Sequence, residues 1–295
     1  MEKIGFIGVG IMGKPMALNL IKAGYPVTVF DMDTKRMGEV VSAGAEAGGS
    51  SKDVAQGNDI IITMLPDSAD VQKAVLGDNG VAEGIRSGAI LIDMSSIAPL
   101  VSKEVSKILA EKGATMLDAP VSGGEPKAIE GTLAIMVGGP KEAFDKVQGI
   151  LSVMGSSVTL VGEIGSGNTT KLANQIIVAL NIAAVSEAMV LATKAGVDPE
   201  KVFQAIRGGL AGSTVLDAKM PLILSGNFKP GFRIELHIKD LKNALETAHE
   251  LGVPVPLASQ IMEIMQALKV DGKNKDDHGG IVQFYELLAK TKVRN

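Results

Sequence analysis

Residues 5–16 read GFIGVGIMGKPM, and this stretch admits two parsings. Gly8, Gly10 and Gly13 make G-x-G-x-x-G, the turn that sets a dinucleotide's pyrophosphate on a helix N-terminus. Gly8, Gly13 and Lys14 also make G-x-x-x-x-G-K, a nucleotide hydrolase's phosphate loop short of its last residue. With 35 glycines in the chain, neither spacing decides by itself. The missing last residue should be Ser or Thr, whose hydroxyl ligates Mg²⁺; here it is Pro15, with neither hydroxyl nor N–H. The dinucleotide parsing needs strand, glycines, helix, strand and then an acid about 20 residues on. The sequence supplies a strand at 3–7, a helix at 14–23 stopped by Gly24, a strand at 26–30, and then Asp31. Gly8 permits the tight turn, Gly10 lets the pyrophosphate approach, and Gly13 lets helix and strand pack closely. With Ile11 and Met12 between them, these are the expected cofactor-loop residues; the alternative is a glycine-rich turn with no ligand.

Asp31 bears on which dinucleotide is bound. A carboxylate at the end of the second strand accepts from the adenosine ribose diol and repels a 2′-phosphate. This favours NAD(H), with NADP(H) kept open by Lys35 and Arg36 close by. The structural alternative is that Asp31 caps the strand-end turn.

The 295 residues suit one large domain or two ordinary ones, and a hydrophobic share of 46% provides for a substantial core. A net charge of −4 gives no reason to expect nucleic acid or anionic membrane as partner. With no cysteines, disulfides, thiolate metal sites and a Cys nucleophile are excluded. The N-terminus reads as a strand and turn rather than a signal peptide. The most apolar helical stretch, 172–192, is interrupted by Asn174, Gln175, Asn181 and Glu187, and reads as a buried soluble helix rather than a membrane span. A cytoplasmic protein is expected.

Further strands are expected at 59–65, stopped by Pro66, and at 89–94, 114–119, 134–137 and 158–161, with helices between most of them, notably 101–111 and 141–154. Continuous apolar strands separated by helices indicate a mainly parallel sheet covered on both faces. After Gly162 the pattern turns helical: 168–195, then an Asp198-Pro199 start signal, then 202–206, 214–224, 235–251, 257–268 and 281–289. The fold class is α/β: a Rossmann-type dinucleotide-binding domain at 1–162 and an all-helical domain at 163–295. That apolar helical domain predicts subunit contacts, as a homodimer or homotetramer.

GFIGVGIMGKPMALNLIKAG, DAPVSGGEPKAIEGTLAIMVGG, GSGNTTKLANQ and HIKDLKNAL, in this order and over essentially the whole chain, resemble the β-hydroxyacid dehydrogenase family. The resemblance implies a Rossmann-type domain, an all-α second domain, an active site in the cleft between them, and NAD(P)H-dependent reduction of a small carboxylated aldehyde. IDMSSIAPL, APVSGGEPKAIEGTL, NQIIVALNIAAVSEA and IRGGLAGSTVLDAK are most similar to members that reduce tartronate semialdehyde to glycerate. Members acting on 3-hydroxyisobutyrate, or on other short semialdehydes or glyoxylate, are the nearest alternative. An NAD-binding regulatory protein without catalysis is the alternative of another class. Oxidative decarboxylation of a sugar-acid phosphate would need phosphate-binding basic groups that the sequence does not offer.

By resemblance Lys171 is the catalytic lysine. The residues point the same way: Asn168, Lys171, Asn174, Gln175, Asn181 and Ser186 share one side of a helix whose other side is Leu, Ile, Val and Ala. A stripe of amides around one amine suits a cleft better than an ordinary solvated face, which is usually rich in Glu and Lys. Lysine, with a reference pKa of ~10.4, is protonated near neutrality and can donate to a forming alkoxide; the reverse oxidation needs it neutral. Many family members carry Asn one turn after this lysine. Here Gln175 holds that place and Asn174 precedes it, so Asn174 is the first choice for substrate contact and Gln175 the second. By resemblance Ser122, Gly123 and Gly124 hold the substrate carboxylate, which turn N–H groups and a hydroxyl can do; the alternative is a plain strand-to-helix turn. The resemblance also puts Leu65, Pro66 and the Ser95-Ser96 pair, Ser96 in particular, against the cofactor's ribose and nicotinamide, and Lys239 near cofactor and cleft. On pattern alone Lys239 is a helix-surface lysine. His237, His249 and His278 are scattered and make no metal set; the chemistry requires no metal.

Overall fold

The computed structural model describes residues 1–294. Its first compact unit, Met1–Lys171, is built on one sheet. In chain order it comprises β1 (Ile4–Ile7), α1 (Gly13–Lys22), β2 (Val27–Phe30), α2 (Thr34–Val41), β3 (Glu46–Ala47), α3 (Ser51–Gly57), β4 (Ile60–Thr63), α4 (Ser68–Leu76) and α5 (Val81–Gly84). Then come β5 (Ile90–Asp93), α6 (Pro99–Ala110), β6 (Thr115–Asp118), β7 (Val121–Ser122), α7 (Gly124–Glu130), β8 (Leu133–Gly138), α8 (Lys141–Met154) and β9 (Gly155–Gly162). The strand order is β3-β2-β1-β4-β5-β6-β8-β7, with β9 on the far side of β8. β1 to β6 pair in parallel, and β8 runs antiparallel to β6 and β7. This is the doubly wound order, in which ligands bind beyond the carboxyl ends of the strands where the order reverses, between β1 and β4.

Apolar runs become strands here because both faces of the sheet are buried. Phe6, Ile62, Ile92 and Leu117 pack into one core, while Ile7, Ile61, Leu91 and Met116 pack into the core on the opposite face. Each such side chain contributes about 1.5–3 kcal/mol on full burial. Met16, Ala17 and Leu20 lay α1 on the first of these cores, and Gly24, at φ +91°, ends the helix as its sequence position predicts.

The second unit begins at Leu172. α9 (Ser166–Lys194, 29 residues) starts in the first unit and runs into the second. It is followed by α10 (Pro199–Ile206), α11 (Thr214–Ser225), α12 (Ile234–Glu250), α13 (Pro256–Val270), a 3₁₀ turn (His278–Ile281) and α14 (Val282–Ala289). Asp198 caps α10 by accepting from Glu200 N–H at 2.9 Å, with Pro199 in the first helical position. The only β pairing among the described residues of this unit is an isolated bridge between Arg233 and Asp277. The compact units divide at Lys171, beyond the turn at Gly162 where the strand pattern stops, because Asp118 of β6 holds the first turn of α9.

The buried side of α9 carries both kinds of residue, with Leu172, Ala179, Ile182, Met189 and Val190 buried beside polar groups. Its polar stripe faces inward: Asn168, Lys171, Gln175 and Ser186 are buried, whereas Ile177 and Leu191 are 60% and 72% exposed. By length and composition alone the helix could cross a membrane, and only 33% of its most apolar window is buried in the chain. Polar burial is tolerated because the groups are bonded: Ser186 Oγ donates to Ile182 O at 2.7 Å, and Asn168 uses its amide as described below.

Candidate active site

The glycine turn follows β1 at the point where the strand order reverses. Val9 N–H donates to Asp31 Oδ2 at 2.7 Å and Asp33 N–H to Asp31 Oδ1 at 2.8 Å, so Asp31 ties the glycine turn to the end of β2. The strand-end role expected as the alternative for Asp31 is therefore real, although each carboxylate oxygen keeps a second lone pair. α1 starts at Gly13 with no side-chain cap at Met12 and no acid in its first turn, while Lys14 N–H donates to Gly10 O at 3.0 Å. Pro15 sits within that first turn, where its missing N–H costs nothing.

The three glycines have different surroundings. A Cβ added at Gly13 would lie 1.9 Å from Gly8 O, and one at Gly8 would lie 2.4 Å from Met64 O. A Cβ at Gly10 would meet nothing closer than Arg36 Nη1 at 3.9 Å. Gly8 and Gly13 are small because the protein fills their space. Gly10 borders open space, which fits close approach of a pyrophosphate.

Two further loops leave the carboxyl ends of β4 and β5. Leu65 N–H donates to Ser95 Oγ at 2.9 Å, and Ala98 N–H donates to Ser68 Oγ at 3.1 Å. Leu65 and Ser96 are half-buried, Pro66 is exposed, and Ser95 is fully buried. Past β6, the two-residue strand β7 ends on Ser122, paired with Ala134 of β8. Gly123 and Gly124 have φ of +141° and +72°, conformations that favour glycine, and lead into α7 with no side-chain cap.

Two acids missed by the sequence reading stand beneath these loops. Asp93 and Asp118 are fully buried. Burial pushes the Asp93 carboxyl up to about 6, against hydrogen bonds from Ser95 and Thr63 that lower it. Burial also raises Asp118, opposed by backbone N–H groups of Asn168 and Gly165. The available signal was an acid closing each apolar run, in LIDM and MLDA.

In the second unit the structure gathers Asn174, Gln175 and Lys239 through a residue the sequence reading passed over, Asp240. Asn174 Nδ2 donates to Gln175 Oε1 at 2.9 Å, and Gln175 Nε2 donates to Asp240 Oδ2 at 2.5 Å. Lys239 Nζ lies 3.0 Å from Asp240 Oδ1 as an ion pair without hydrogen-bond alignment. Asp240 is 2% exposed, so it depends on these partners. Two of the three histidines, expected to be scattered, are in contact: His278 Nδ1 and His237 Nδ1 are 2.9 Å apart, and His237 Nε2 is 3.1 Å from Gln175 O. The 3₁₀ turn brings His278 to α12 across 41 residues, which spacing alone could not show.

A doubly wound sheet with this turn, followed by a helical unit, defines a nicotinamide dinucleotide-dependent oxidoreductase. The model of the NAD-binding domain of 6-phosphogluconate dehydrogenase matches residues 3–162, and that of the NAD-binding region of NADP-dependent 3-hydroxyisobutyrate dehydrogenase matches residues 165–285. The chain is 43% identical to 2-hydroxy-3-oxopropionate reductase of Escherichia coli, covering 99% of each chain. It is 39% identical to 2-(hydroxymethyl)glutarate dehydrogenase of Eubacterium barkeri, over 99% of this chain and 97% of the relative. The solved Mycobacterium tuberculosis 3-hydroxyisobutyrate dehydrogenase with L-serine superposes with a TM-score of 0.90 at 30% identity, over 97% of this chain and 99% of that one. The chain belongs to the β-hydroxyacid dehydrogenase family and is an oxidoreductase with a dinucleotide-binding domain.

Proposed function

We propose that this enzyme reduces tartronate semialdehyde (2-hydroxy-3-oxopropanoate) to glycerate, with NADH as the favoured coenzyme. The observation that carries the substrate is the 43% identity, over 99% of both chains, with 2-hydroxy-3-oxopropionate reductase of Escherichia coli. The glycine turn at Gly8, Gly10, Ile11, Met12 and Gly13, with Asp31, Leu65, Pro66, Ser96 and Lys239, would hold the coenzyme. Bound dihydronicotinamide supplies the hydride that the aldehyde carbon accepts. Lys171 donates a proton to the oxygen that becomes the new hydroxyl. Ser122 and the N–H groups of Gly123 and Gly124 grip the substrate carboxylate. Asn174 remains the first choice for a second polar contact. It is half-buried, while Gln175 is 4% exposed and spends both amide atoms on Asn174 and Asp240.

NADH is favoured because the Asp31 carboxylate would face a 2′-phosphate with like charge. The test is kcat/KM for tartronate, methylmalonate and succinate semialdehydes and glyoxylate, each with NADH and NADPH. Tartronate semialdehyde should lead by about tenfold or more, because a site built to bond its hydroxyl discriminates against substrates that lack it. A lead for methylmalonate semialdehyde would move the assignment to 3-hydroxyisobutyrate dehydrogenase, and a clear NADPH preference would sink the coenzyme choice. Coenzyme binding without turnover on any substrate would point to a regulatory protein.

The exposed face of α9 supports a homodimer or homotetramer. Ala173, Ile177, Ala184, Ala188 and Leu191 are all exposed and fall within one narrow arc of the helix. A second copy covering this face is expected to give at least twice the 30.6 kDa chain mass by light scattering. A monomer at micromolar concentration would refute it.

A further inference from the structure

The reaction leaves Asp93 and Asp118 without a task. Parallel register pairs Thr63 with Asp93 and Asp93 with Asp118, so the three side chains rise from one face of the sheet. Asp118 uses both oxygens: Gly165 N–H donates to Oδ1 at 2.7 Å and Asn168 N–H to Oδ2 at 2.6 Å. Glycines make room for this. A Cβ at Gly138 would stand 2.4 Å from Asp118 Oδ1, and one at Gly167 would stand 3.0 Å from Oδ2. Asn168 extends the tie: Ile97 N–H donates to its Oδ1 at 3.1 Å, and its Nδ2 donates to Ser102 Oγ at 3.1 Å. Lys171 follows three residues along α9, on the same side as Asn168.

Asp93 uses only one oxygen. Thr63 Oγ1 and Ser95 N–H donate to its Oδ1 at 2.8 and 3.1 Å. Its Oδ2 is buried with no hydrogen-bond partner among the described residues. Because Ser95 Oγ in turn accepts from Leu65 N–H, Asp93 holds the loops that carry Leu65, Pro66 and Ser96.

We propose that Asp118 and Asp93 are positioning residues with separate tasks: Asp118 fixes the turn that presents Lys171, and Asp93 fixes the two coenzyme loops. The tasks rest on the proton-donor role of Lys171 and the coenzyme role of those loops. The two acids differ in what they require. Both Asp118 oxygens face N–H donors, so an amide there would turn an NH₂ group against an N–H. Asp93 offers one accepting oxygen, and its orphan oxygen lies in a buried site next to the Asp118 charge. A neutral side chain with one carbonyl oxygen meets its need, so Asn can replace Asp93 but not Asp118.

The test uses the full chain carrying Asp93→Ala, Asp93→Asn, Asp118→Asn, Asn168→Ala or Lys171→Met. Three quantities are measured: NADH Kd by fluorescence titration without substrate, kcat at saturating NADH, and labelling of Lys171 by trinitrobenzenesulfonate read by peptide mass spectrometry. Asp93→Ala should raise the NADH Kd about tenfold or more, and Asp93→Asn should recover most of that loss. Asp118→Asn should lower kcat by about a hundredfold, the scale of a misplaced catalytic group, change Lys171 labelling, and leave the NADH Kd nearly unmoved. Asn168→Ala should act in the same direction and carries the test if Asp118→Asn does not fold. Equal losses of Kd and kcat from both acids, or Asp93→Asn no better than Asp93→Ala, would overturn the proposal. Altered labelling in Asp118→Asn beside normal turnover in Lys171→Met would support the positioning role and overturn the proton-donor reading.

Discussion

Lys171→Met lowers kcat by about a hundred- to ten-thousandfold, the range general acid catalysis supplies, with the coenzyme Kd and thermal midpoint close to wild type. Met is the variant of choice because Lys171 is 6% exposed. An unbranched apolar chain keeps the packing of the lysine stem and removes only the amine. Reduction places negative charge on the aldehyde oxygen, and no hydroxyl forms until a proton arrives. Water can bring one, so a residual rate should persist, and added methylamine should restore part of the loss. In the oxidation direction the amine must be neutral to accept the proton, so wild-type activity should rise with pH in a limb that Lys171→Met lacks. Ser122→Ala provides the contrast: it should raise KM for the aldehyde more than it lowers kcat, because a carboxylate grip made equally in ground and transition states affects KM alone. Near-normal turnover in Lys171→Met would remove the lysine from the chemistry.

The residues that were legible in the sequence are those constrained by local backbone geometry or by periodicity. Gly8 needs φ +94°, and the α1 stop needs φ +91° at Gly24; both requirements act within a few residues. The strands were legible because two-sided burial demands uninterrupted apolar runs such as DIIITML. β3 and β7, of two residues each, are too short for any period to register. Asp93 and Asp118 were passed over for another reason. A strand-closing acid is unremarkable until its partners are known, and those of Asp118 come from residues 165 and 168. Asp240 behaves likewise, reaching Gln175 from 65 residues away. The polar stripe on α9 was legible as a stripe, but whether it faced in or out was not. Periodicity marks which residues share a side, and only the hydrogen-bond partners of Asn168, the Ile97 N–H and Ser102 Oγ, show what holds the buried start of the stripe.

Gly13→Ala and Gly10→Ala, three residues apart in one motif, are expected to fail in opposite ways. At Gly13 the added methyl meets Gly8 O at 1.9 Å and Phe6 Cε1 at 3.1 Å. A backbone carbonyl cannot swing aside as a side chain can, so α1 must lift from β1 or the turn must open. Overpacking of this kind costs about 1–3 kcal/mol, occasionally more. At roughly 2–4 °C per kcal/mol the melting of the first unit should fall by several degrees without any ligand present. At Gly10 the nearest atom is a flexible guanidinium nitrogen at 3.9 Å, so the free protein should melt as wild type does. Its loss should come only with coenzyme. Wild type at a coenzyme concentration of 100 Kd gains about 2.7 kcal/mol of stability, and a methyl occupying the pyrophosphate's approach removes most of that gain. Melting curves with and without NADH therefore separate the two glycines: Gly13→Ala starts low, whereas Gly10→Ala starts normal and does not rise. A normal NADH-induced rise in Gly10→Ala would mean that the pyrophosphate does not approach this glycine.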